Sequence, residues 1–209
     1  MPHARFDAAA SEALTNCVKA IEKSTDVELV LMVRSRSAVY RHADHLFAAI
    51  LSFLGLLFLL FSPFEFHQYW VAIDVALLFL IGVYLSSRSN GIRRLLTTRK
   101  FREEAARTRA GAMFYEAGIA NTSAEMGLLV YLSLLERRLE LIADRGVLKG
   151  VPALEWNEIM FELHEIGREP DPKTLHAGLE KLGTLLSKHL PATGENPNEL
   201  PDAPSFEFN

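Results

Sequence analysis

The sequence predicts an α/β fold, a small sheet covered by helices, that a two-helix membrane hairpin interrupts. The sheet is predicted by the apolar run Asp26–Ser35 and by a later strand pair, Leu128–Ser133 and Arg138–Asp144, joined by the turn "LLER". The hairpin is predicted by Leu46–Phe64 and Tyr69–Ser87, two apolar segments of 19 residues each. Because three strands make a sheet only if the first pairs with the later two, the hairpin is an insertion within one domain.

Apolar residues at helical spacing predict the helices around this sheet. The first helix opens the chain with Phe6, Ala10, Leu14, Cys17 and Ile21. An alanine-rich helix follows the hairpin and ends near Gly118. Two helices close the domain, with Trp156, Ile159, Leu163 and Ile166 in one and Leu175, Leu179, Leu182, Leu186 and Leu190 in the other.

The segments give a predicted domain organisation. Residues 1–44 and 88–191 form one discontinuous cytoplasmic domain, which is long enough to bury a single core. Residues 45–87 form the transmembrane hairpin. Residues 192–209 are rich in proline, asparagine and acid and contain no basic residue, so they are predicted to be a disordered acidic tail.

Composition narrows the class of protein. Of the 209 residues, 49% are hydrophobic and 23% are charged, which is typical of a membrane-attached globular protein rather than a polytopic transporter. The net charge of −4 argues against a nucleic-acid partner. The single cysteine, Cys17, excludes an internal disulfide and a clustered-thiol metal site, and its place on the apolar face of the first helix predicts a buried thiol.

Lysine and arginine flank the hairpin on both sides and are absent from its turn. Arg34, Arg36 and Arg41 precede it, and the residues that follow it are Arg88, Arg93, Arg94, Arg99, Lys100 and Arg102. The positive-inside rule therefore predicts an inner (plasma) membrane protein with both termini in the cytoplasm. The six following residues are also expected to face anionic lipid headgroups, at about 1 kcal/mol each. Asp74, about one turn into the second helix, is interpreted as interfacial, with a functional carboxylate as the alternative.

Carboxylates lie near the ends of the predicted strands. They are Glu22, Glu28, Glu125, Glu136 and Asp144. Oxygen ligands of this kind suit a hard cation such as calcium, and Glu28 and Asp144 are the preferred pair because each begins or ends a strand. The alternative is a solvated or ion-paired surface, since Arg137, Arg138 and Arg145 are close in sequence.

Three stretches together carry a family resemblance: "AIEKSTDVELVLMV" (Ala20–Val33), "MGLLVYLSLLERRLELIADRGV" (Met126–Val147) and "LHAGLEKLGTLLSKHLP" (Leu175–Pro191). They resemble the TPM-domain family, sometimes described as a phosphatase family, over residues 5–40 and 98–191. The resemblance implies a small three-layer α/β/α sandwich and, in some relatives, calcium binding or acid-phosphatase activity. Many members present Asn-Asn-Gly before the second strand, where this chain has Glu125, Met126 and Gly127.

The sequence carries no glycine-rich phosphate loop, no Gly-x-Ser-x-Gly and no evident Cys/His nucleophile pair. An enzymatic activity is therefore implied by the resemblance alone. The function expected is a membrane-anchored cytoplasmic TPM-like binding or scaffolding module, without a cofactor unless calcium binds, whose partners are membrane lipid and another membrane or cytoplasmic protein. A metal-dependent acid phosphatase is the alternative.

Overall fold

The computed structural model describes residues 6–64, 66–122, 124–194, 200 and 205–207 of the chain. The chain divides into two compact units. The sheet domain comprises residues 1–37 and 103–209, and the helical unit comprises residues 38–102. The sheet domain is thus discontinuous in sequence, with its boundaries at 37 and 103 rather than at the expected 44 and 88.

Eight helices and four strands are formed by the described residues, in an order that adds short elements to the predicted ones. In chain order they are α1 (Ala8–Ser24), β1 (Glu28–Arg34), α2 (Arg41–Phe61), α3 (Gln68–Arg88), α4 (Asn90–Leu95), α5 (Arg99–Glu116), β2 (Gly127–Ser133), β3 (Arg138–Ala143), α6 (Arg145–Gly150), α7 (Ala153–Arg168), α8 (Pro172–His189) and β4 (Ser205–Glu207). A 3-10 turn, Ile119–Asn121, precedes β2.

The sheet is mixed, with strand order β3-β2-β1-β4. β1 is parallel to β2, so that Glu28 lies opposite Gly127 and Arg34 opposite Ser133. β2 and β3 are antiparallel neighbours joined by the predicted turn, where Arg137 has a positive φ of 53°. The expected pairing of the first strand with the later strand pair is therefore confirmed. β1 and β2 are buried along their whole length, as strands covered on both faces must be.

The sheet has a core on each face because side chains alternate along a strand. Leu29, Leu31 and Val33 of β1 contribute to the larger core, together with buried residues of α1, α7 and α8. Val30 and Met32 contribute to the smaller core, together with buried residues of α5 and β2. The fold is thus an α/β structure with helices on both sides of a four-stranded mixed sheet.

Local signals define the helix ends. Asp7 caps α1 by accepting a hydrogen bond from the amide of Ala10 at 2.8 Å, and Asp171 caps α8 in front of Pro172.

Gly127 begins β2 where a Cβ atom would lie 2.3 Å from the carbonyl oxygen of Ile119. Only glycine lets the 3-10 turn approach the sheet so closely.

The region after Pro191 was predicted to be disordered, and the structure corrects this prediction at three residues. Ser205–Glu207 form β4, which pairs in parallel with Met32–Arg34 of β1. Thr193 is also held, because its amide and hydroxyl donate to the Asp26 carboxylate at 2.8 Å each. Composition indicates only that a segment lacks its own core, whereas this one gains order from contacts with the sheet. The remainder of the predicted tail, residues 195–199, 201–204 and 208–209, lies outside the described residues.

In the helical unit, α2 and α3 run antiparallel, since Ala48 packs on Gly82 and Ser52 reaches Val75. A Cβ atom on Gly82 would lie 2.6 Å from the Ala48 Cα atom. The helices are therefore close at this point because Gly82 has no side chain.

Candidate functional site

The outer surface of α2 and α3 is apolar and exposed. Both helices are long and apolar enough to cross a membrane, at 21 residues (Arg41–Phe61) and 20 residues (Tyr69–Arg88), and only 17% and 11% of their most apolar windows are buried. The large exposed side chains include Phe53, Leu54, Phe58, Leu60, Phe61, Trp70, Ile73, Leu80 and Tyr84. Many large apolar side chains exposed on two adjacent helices indicate an interaction site.

Polar groups of the same unit are buried between its helices. The Arg93 guanidinium donates to both carboxylate oxygens of Asp44, from Nε to Oδ1 at 2.9 Å and from Nη2 to Oδ2 at 2.7 Å. The Ser86 hydroxyl also donates to Asp44 Oδ1 at 2.7 Å. All three residues are buried. The bidentate pair joins α2 to α4, and the Ser86 hydroxyl joins α3 to the same carboxylate. The Ser52 hydroxyl, which donates to the Val75 carbonyl, is a further polar group with a partner inside the unit.

The basic residues expected to face lipid divide into two groups. Arg88, Arg99 and Lys100 are exposed, and Arg88 lies 5.5 Å above the ring of Tyr84. Arg93 is buried against Asp44, so its assignment as a lipid-facing residue is wrong.

The remaining two basic residues are half-buried. Arg102 donates from Nη1 to the carbonyl oxygens of Arg94 at 2.7 Å and of Thr97 at 2.5 Å. A guanidinium held in this way stabilises the chain after α4 and has fewer donors left for a lipid headgroup. Arg94 itself contributes its backbone carbonyl to this contact.

The preferred strand-end acids, Glu28 and Asp144, lie at the same end of the sheet. The Glu28 amide donates to the carbonyl of Met126 at 3.0 Å, and the Asp144 amide donates to the carbonyl of Gly127 at 2.9 Å. Glu28 and Asp144 therefore lie on either side of the segment Met126–Gly127, where β2 begins. Glu28 Oε2 accepts from the Leu200 amide at 3.3 Å.

Asp144 caps α6, with Oδ1 accepting from the Arg145 amide at 2.7 Å. Its other oxygen, Oδ2, is buried and accepts no hydrogen bond from any described residue. Glu22 and Glu125 lie at this end as well. Glu22 Oε1 accepts from the Leu29 amide at 3.2 Å, and Glu125 is exposed with a positive φ of 55°.

Glu136 lies at the opposite end of the sheet, so it does not join the other four acids. β2 separates the two ends by about 20 Å, given a rise of about 3.3 Å per residue. Glu136 is buried, its Oε1 accepts from the Ser37 amide at 2.8 Å, and its Oε2 accepts from the Ser133 hydroxyl. The Ser37 hydroxyl contacts the oxygen of Tyr131 at 3.0 Å and that of Ser133 at 2.8 Å.

These four residues form a hydrogen-bonded cluster at the carboxyl ends of β1 and β2, which sequence analysis did not identify. Burial raises the pKa of the Tyr131 phenol, and the hydrogen bond with Ser37 partly offsets that rise. The period-two spacing of Tyr131 and Ser133 places them on one face, but nothing local indicates Ser37, which is 94 positions from Tyr131. The cluster holds the chain just after β1, at Ser37, against the end of β2 and the β2–β3 turn.

Among the described residues, no group of three or more His, Cys, Asp and Glu side chains is close enough to hold a metal ion. The strand-end pair Glu28 and Asp144 therefore offers two carboxylates, and any further ligand would be a backbone carbonyl or water.

Comparison with known proteins identifies the fold alone. No protein-family model matches the chain, and no curated protein matches it. An NMR structure of the BA42 protein from the psychrophilic bacterium Bizionia argentinensis sp. nov. is similar, with a TM-score of 0.57. The alignment covers 96% of this chain and 94% of that one at 15% sequence identity.

Proposed function

We propose that this protein is a membrane-anchored binding or scaffolding module, in which α2 and α3 cross the inner (plasma) membrane as a hairpin and the sheet domain lies in the cytoplasm. The resemblance to the TPM-domain family is part of this proposal. One observation carries it: the large apolar side chains of α2 and α3 are exposed while the polar side chains of Asp44, Ser52 and Ser86 are buried.

The physical argument is the choice of solvent. In water, an exposed apolar surface is unfavourable by about 25 cal/mol per Å², so a soluble helix pair buries its aromatic and aliphatic side chains. In hydrocarbon the preference reverses, because buried polar groups must find partners inside the protein. The Asp44–Arg93–Ser86 contacts supply such partners at the end of the hairpin where Arg41 and Arg88 flank the apolar segments.

Orientation follows from the same flanks. The described turn between α2 and α3 has no lysine or arginine, whereas exposed Arg41, Arg88, Arg99 and Lys100 lie at the other end of the hairpin or just beyond it. The positive-inside rule then places the turn outside and both termini in the cytoplasm. The exposed cations are also available to anionic lipid headgroups.

Cysteine labelling tests this proposal. In a Cys17→Ala background, Phe64→Cys marks the turn and Thr98→Cys marks the basic flank, and both positions are exposed. A membrane-impermeant maleimide should label position 64 in intact cells and position 98 only after permeabilisation. Release of the protein by an alkaline carbonate wash would refute membrane insertion, and external labelling of position 98 would refute the orientation.

A metal-dependent phosphatase is the second candidate, and one observation favours it. The buried Asp144 Oδ2 accepts no hydrogen bond from the described residues, and the carboxylate of Glu28 lies at the same end of the sheet, at the start of β1 on the other side of β2. A buried oxygen of this kind is costly unless a cation or donor occupies the site.

Calorimetry of the detergent-solubilised full chain with Ca²⁺ and Mg²⁺, beside a phosphate-ester assay, tests the second candidate. For a phosphatase we expect saturable heat and hydrolysis that Asp144→Asn and Glu28→Gln both reduce, with the exposed Glu158→Gln as the matched control. If the titration gives no heat and the assay shows no hydrolysis, the binding module remains the proposed function.

A further inference from the structure

The C-terminal strand β4 is short, and its contacts with β1 involve side chains of a specific kind. Ser205, Phe206 and Glu207 lie beside Met32, Val33 and Arg34 in parallel register. The Ser35 amide donates to the Glu207 carbonyl at 3.0 Å. Three residues of main chain provide few ladder hydrogen bonds, so side-chain contacts carry a large part of the recognition.

Arg34 is the first of these contacts. It is 8% exposed although it ends the strand that β4 flanks. Its Nη1 donates to the Ser205 carbonyl at 2.8 Å and to the Ser205 hydroxyl at 3.2 Å, and its Nε pairs with Glu207 Oε2 at 3.3 Å. A buried guanidinium requires acceptors, and most of those it has among the described residues come from β4.

Phe206 is the second contact, on the other face of the sheet. Its side chain packs against the larger core, where its ring centroid lies 6.4 Å from that of the buried Phe6. The alternation of strand side chains explains the arrangement, because Ser205 and Glu207 face the side of Arg34 while Phe206 faces the opposite side. The β1 edge thus offers an aromatic site on one face and a carboxylate site on the other.

The rest of this edge is capped differently. Near the start of β1, the Leu29 amide donates to the Glu22 side chain, and the Glu28 carboxylate accepts from the Leu200 amide. Within the described part of the chain, Met32–Arg34 is the portion of β1 that pairs with β4. The strand-accepting part of the edge therefore coincides with the buried guanidinium and the aromatic site.

We propose that this edge of β1 is a strand-binding site for an extended segment of a partner protein that presents an aromatic residue followed by a carboxylate, and that β4 is its resident occupant. The partner segment adds a parallel strand to β1, places its aromatic ring beside Phe6 and pairs its carboxylate with Arg34. The inference deepens the binding-module proposal, and it rests on the sheet domain alone, so the labelling experiment above can fail while this one succeeds.

Competition between β4 and a free peptide for the β1 edge sets the affinity of the protein for that peptide. A tethered segment acts at an effective concentration of about 1 mM, so a free peptide must displace β4 before it binds. Weakening β4 by substitution should therefore open the site without removing any receptor residue.

The test uses the full chain in detergent micelles, as the natural sequence and as Phe206→Ala/Glu207→Lys. The probe is a fluorescent peptide of residues 200–209, "LPDAPSFEFN", followed by anisotropy. We expect the substituted chain to bind the peptide at least about 10-fold more tightly than the natural chain. Equal affinity of the two chains, or no binding to the substituted chain, would overturn the proposal.

Peptide variants serve as controls that leave the receptor unchanged. Peptides with Phe206→Ala or with Glu207→Lys should each bind the substituted chain about 10-fold more weakly than the natural peptide, whereas Pro201→Ala should bind as well as it does. In a receptor that carries Arg34→Glu and Phe206→Ala but keeps its own Glu207, the resident strand is repelled and the Glu207→Lys peptide should regain affinity. If neither peptide substitution weakens binding, the edge of β1 does not recognise the aromatic ring or the carboxylate.

Discussion

The central strands of the sheet domain and the long helices of the helical unit are both rich in apolar residues, yet the strands bury them and the helices expose them. In the sheet domain the leucines and valines of β1 and β2 are buried, and charged residues lie mostly outside. In the helical unit Phe58, Trp70 and Leu80 are each more than 60% exposed, while Asp44 and Ser86 are buried. Membrane insertion of the helical unit, as proposed above, would account for the difference, because hydrocarbon solvates apolar side chains well and polar side chains poorly.

The buried ion pair of the helical unit gives the largest expected effect. Asp44→Leu removes one partner and leaves the Arg93 guanidinium buried without its carboxylate, which should cost about 3–5 kcal/mol. The measurement is loss of helicity of the solubilised chain during an SDS titration. The double change Asp44→Leu/Arg93→Met should recover most of the loss, because it removes both charges.

Asp74→Leu is the matched control for that experiment. Asp74 is a half-buried carboxylate on α3. Its removal should change the SDS midpoint by less than about 1 kcal/mol in equivalent free energy. If Asp74→Leu costs as much as Asp44→Leu, the bidentate contacts of Asp44 are not what stabilises the hairpin.

The two regions should respond differently to the same leucine truncation. Leu132→Ala removes a fully buried side chain from β2 and should lower the free energy of unfolding of the sheet domain by about 2–5 kcal/mol. Leu80→Ala removes a side chain that is 63% exposed on α3 and should change hairpin stability by no more than about 0.5 kcal/mol. Urea unfolding, followed by Trp156 fluorescence in a Trp70→Phe background, measures the effect of Leu132→Ala. SDS titration measures the effect of Leu80→Ala. Similar costs would contradict the opposite burial of the two regions.

Cys17 tests the core of the sheet domain chemically. Burial is the main cause that raises the pKa of this thiol from 9.0 to about 11, and the nearby Glu180 carboxylate raises it further. At pH 8 the native thiolate fraction should be about 100-fold below that of the unfolded chain, so reaction with a disulfide reagent should be slower by at least that factor.

The same shift gives a pH dependence. The pKa of the Cys17 thiol is higher in the folded protein than in the unfolded chain, so the unfolded chain loses the thiol proton first. The free energy of unfolding should therefore fall as the pH rises from about 9 to about 11. Cys17→Ala should remove this part of the alkaline slope. Native labelling as fast as labelling in urea would show that the thiol is not protected by the core.

Much of the fold could be predicted from the sequence where a pattern is local and periodic. β1, β2 and β3 were predicted within two residues at each end, whereas β4 was not predicted. The pairing of β1 with the later strand pair was predicted because no other strand was available to complete the sheet. The six-residue helices α4 and α6 were missed, because one and a half turns are too short to show a period.

The site was less predictable, since side-chain contacts join residues far apart in the chain. Glu136 and Asp144 are both strand-end acids in the sequence, but the length of β2 and β3 separates their ends of the sheet. Arg93 lies among basic residues, and its pairing with Asp44 across 49 positions is invisible to a charge count. The cluster of Ser37 with Tyr131 was missed for the same reason.

By itself the sequence determined the α/β class, the helical and strand periods, the two long apolar segments and the position of the basic flanks. Each of these depends on residues within one or two turns of each other, which local propensity and hydropathy describe. Tertiary structure alone decided that Arg34 is buried and that Ser205–Glu207 become a strand beside it. The segment has no core of its own, and the entropy lost when it is ordered is offset by its main-chain pairing with β1 together with the guanidinium and the aromatic site at the sheet edge.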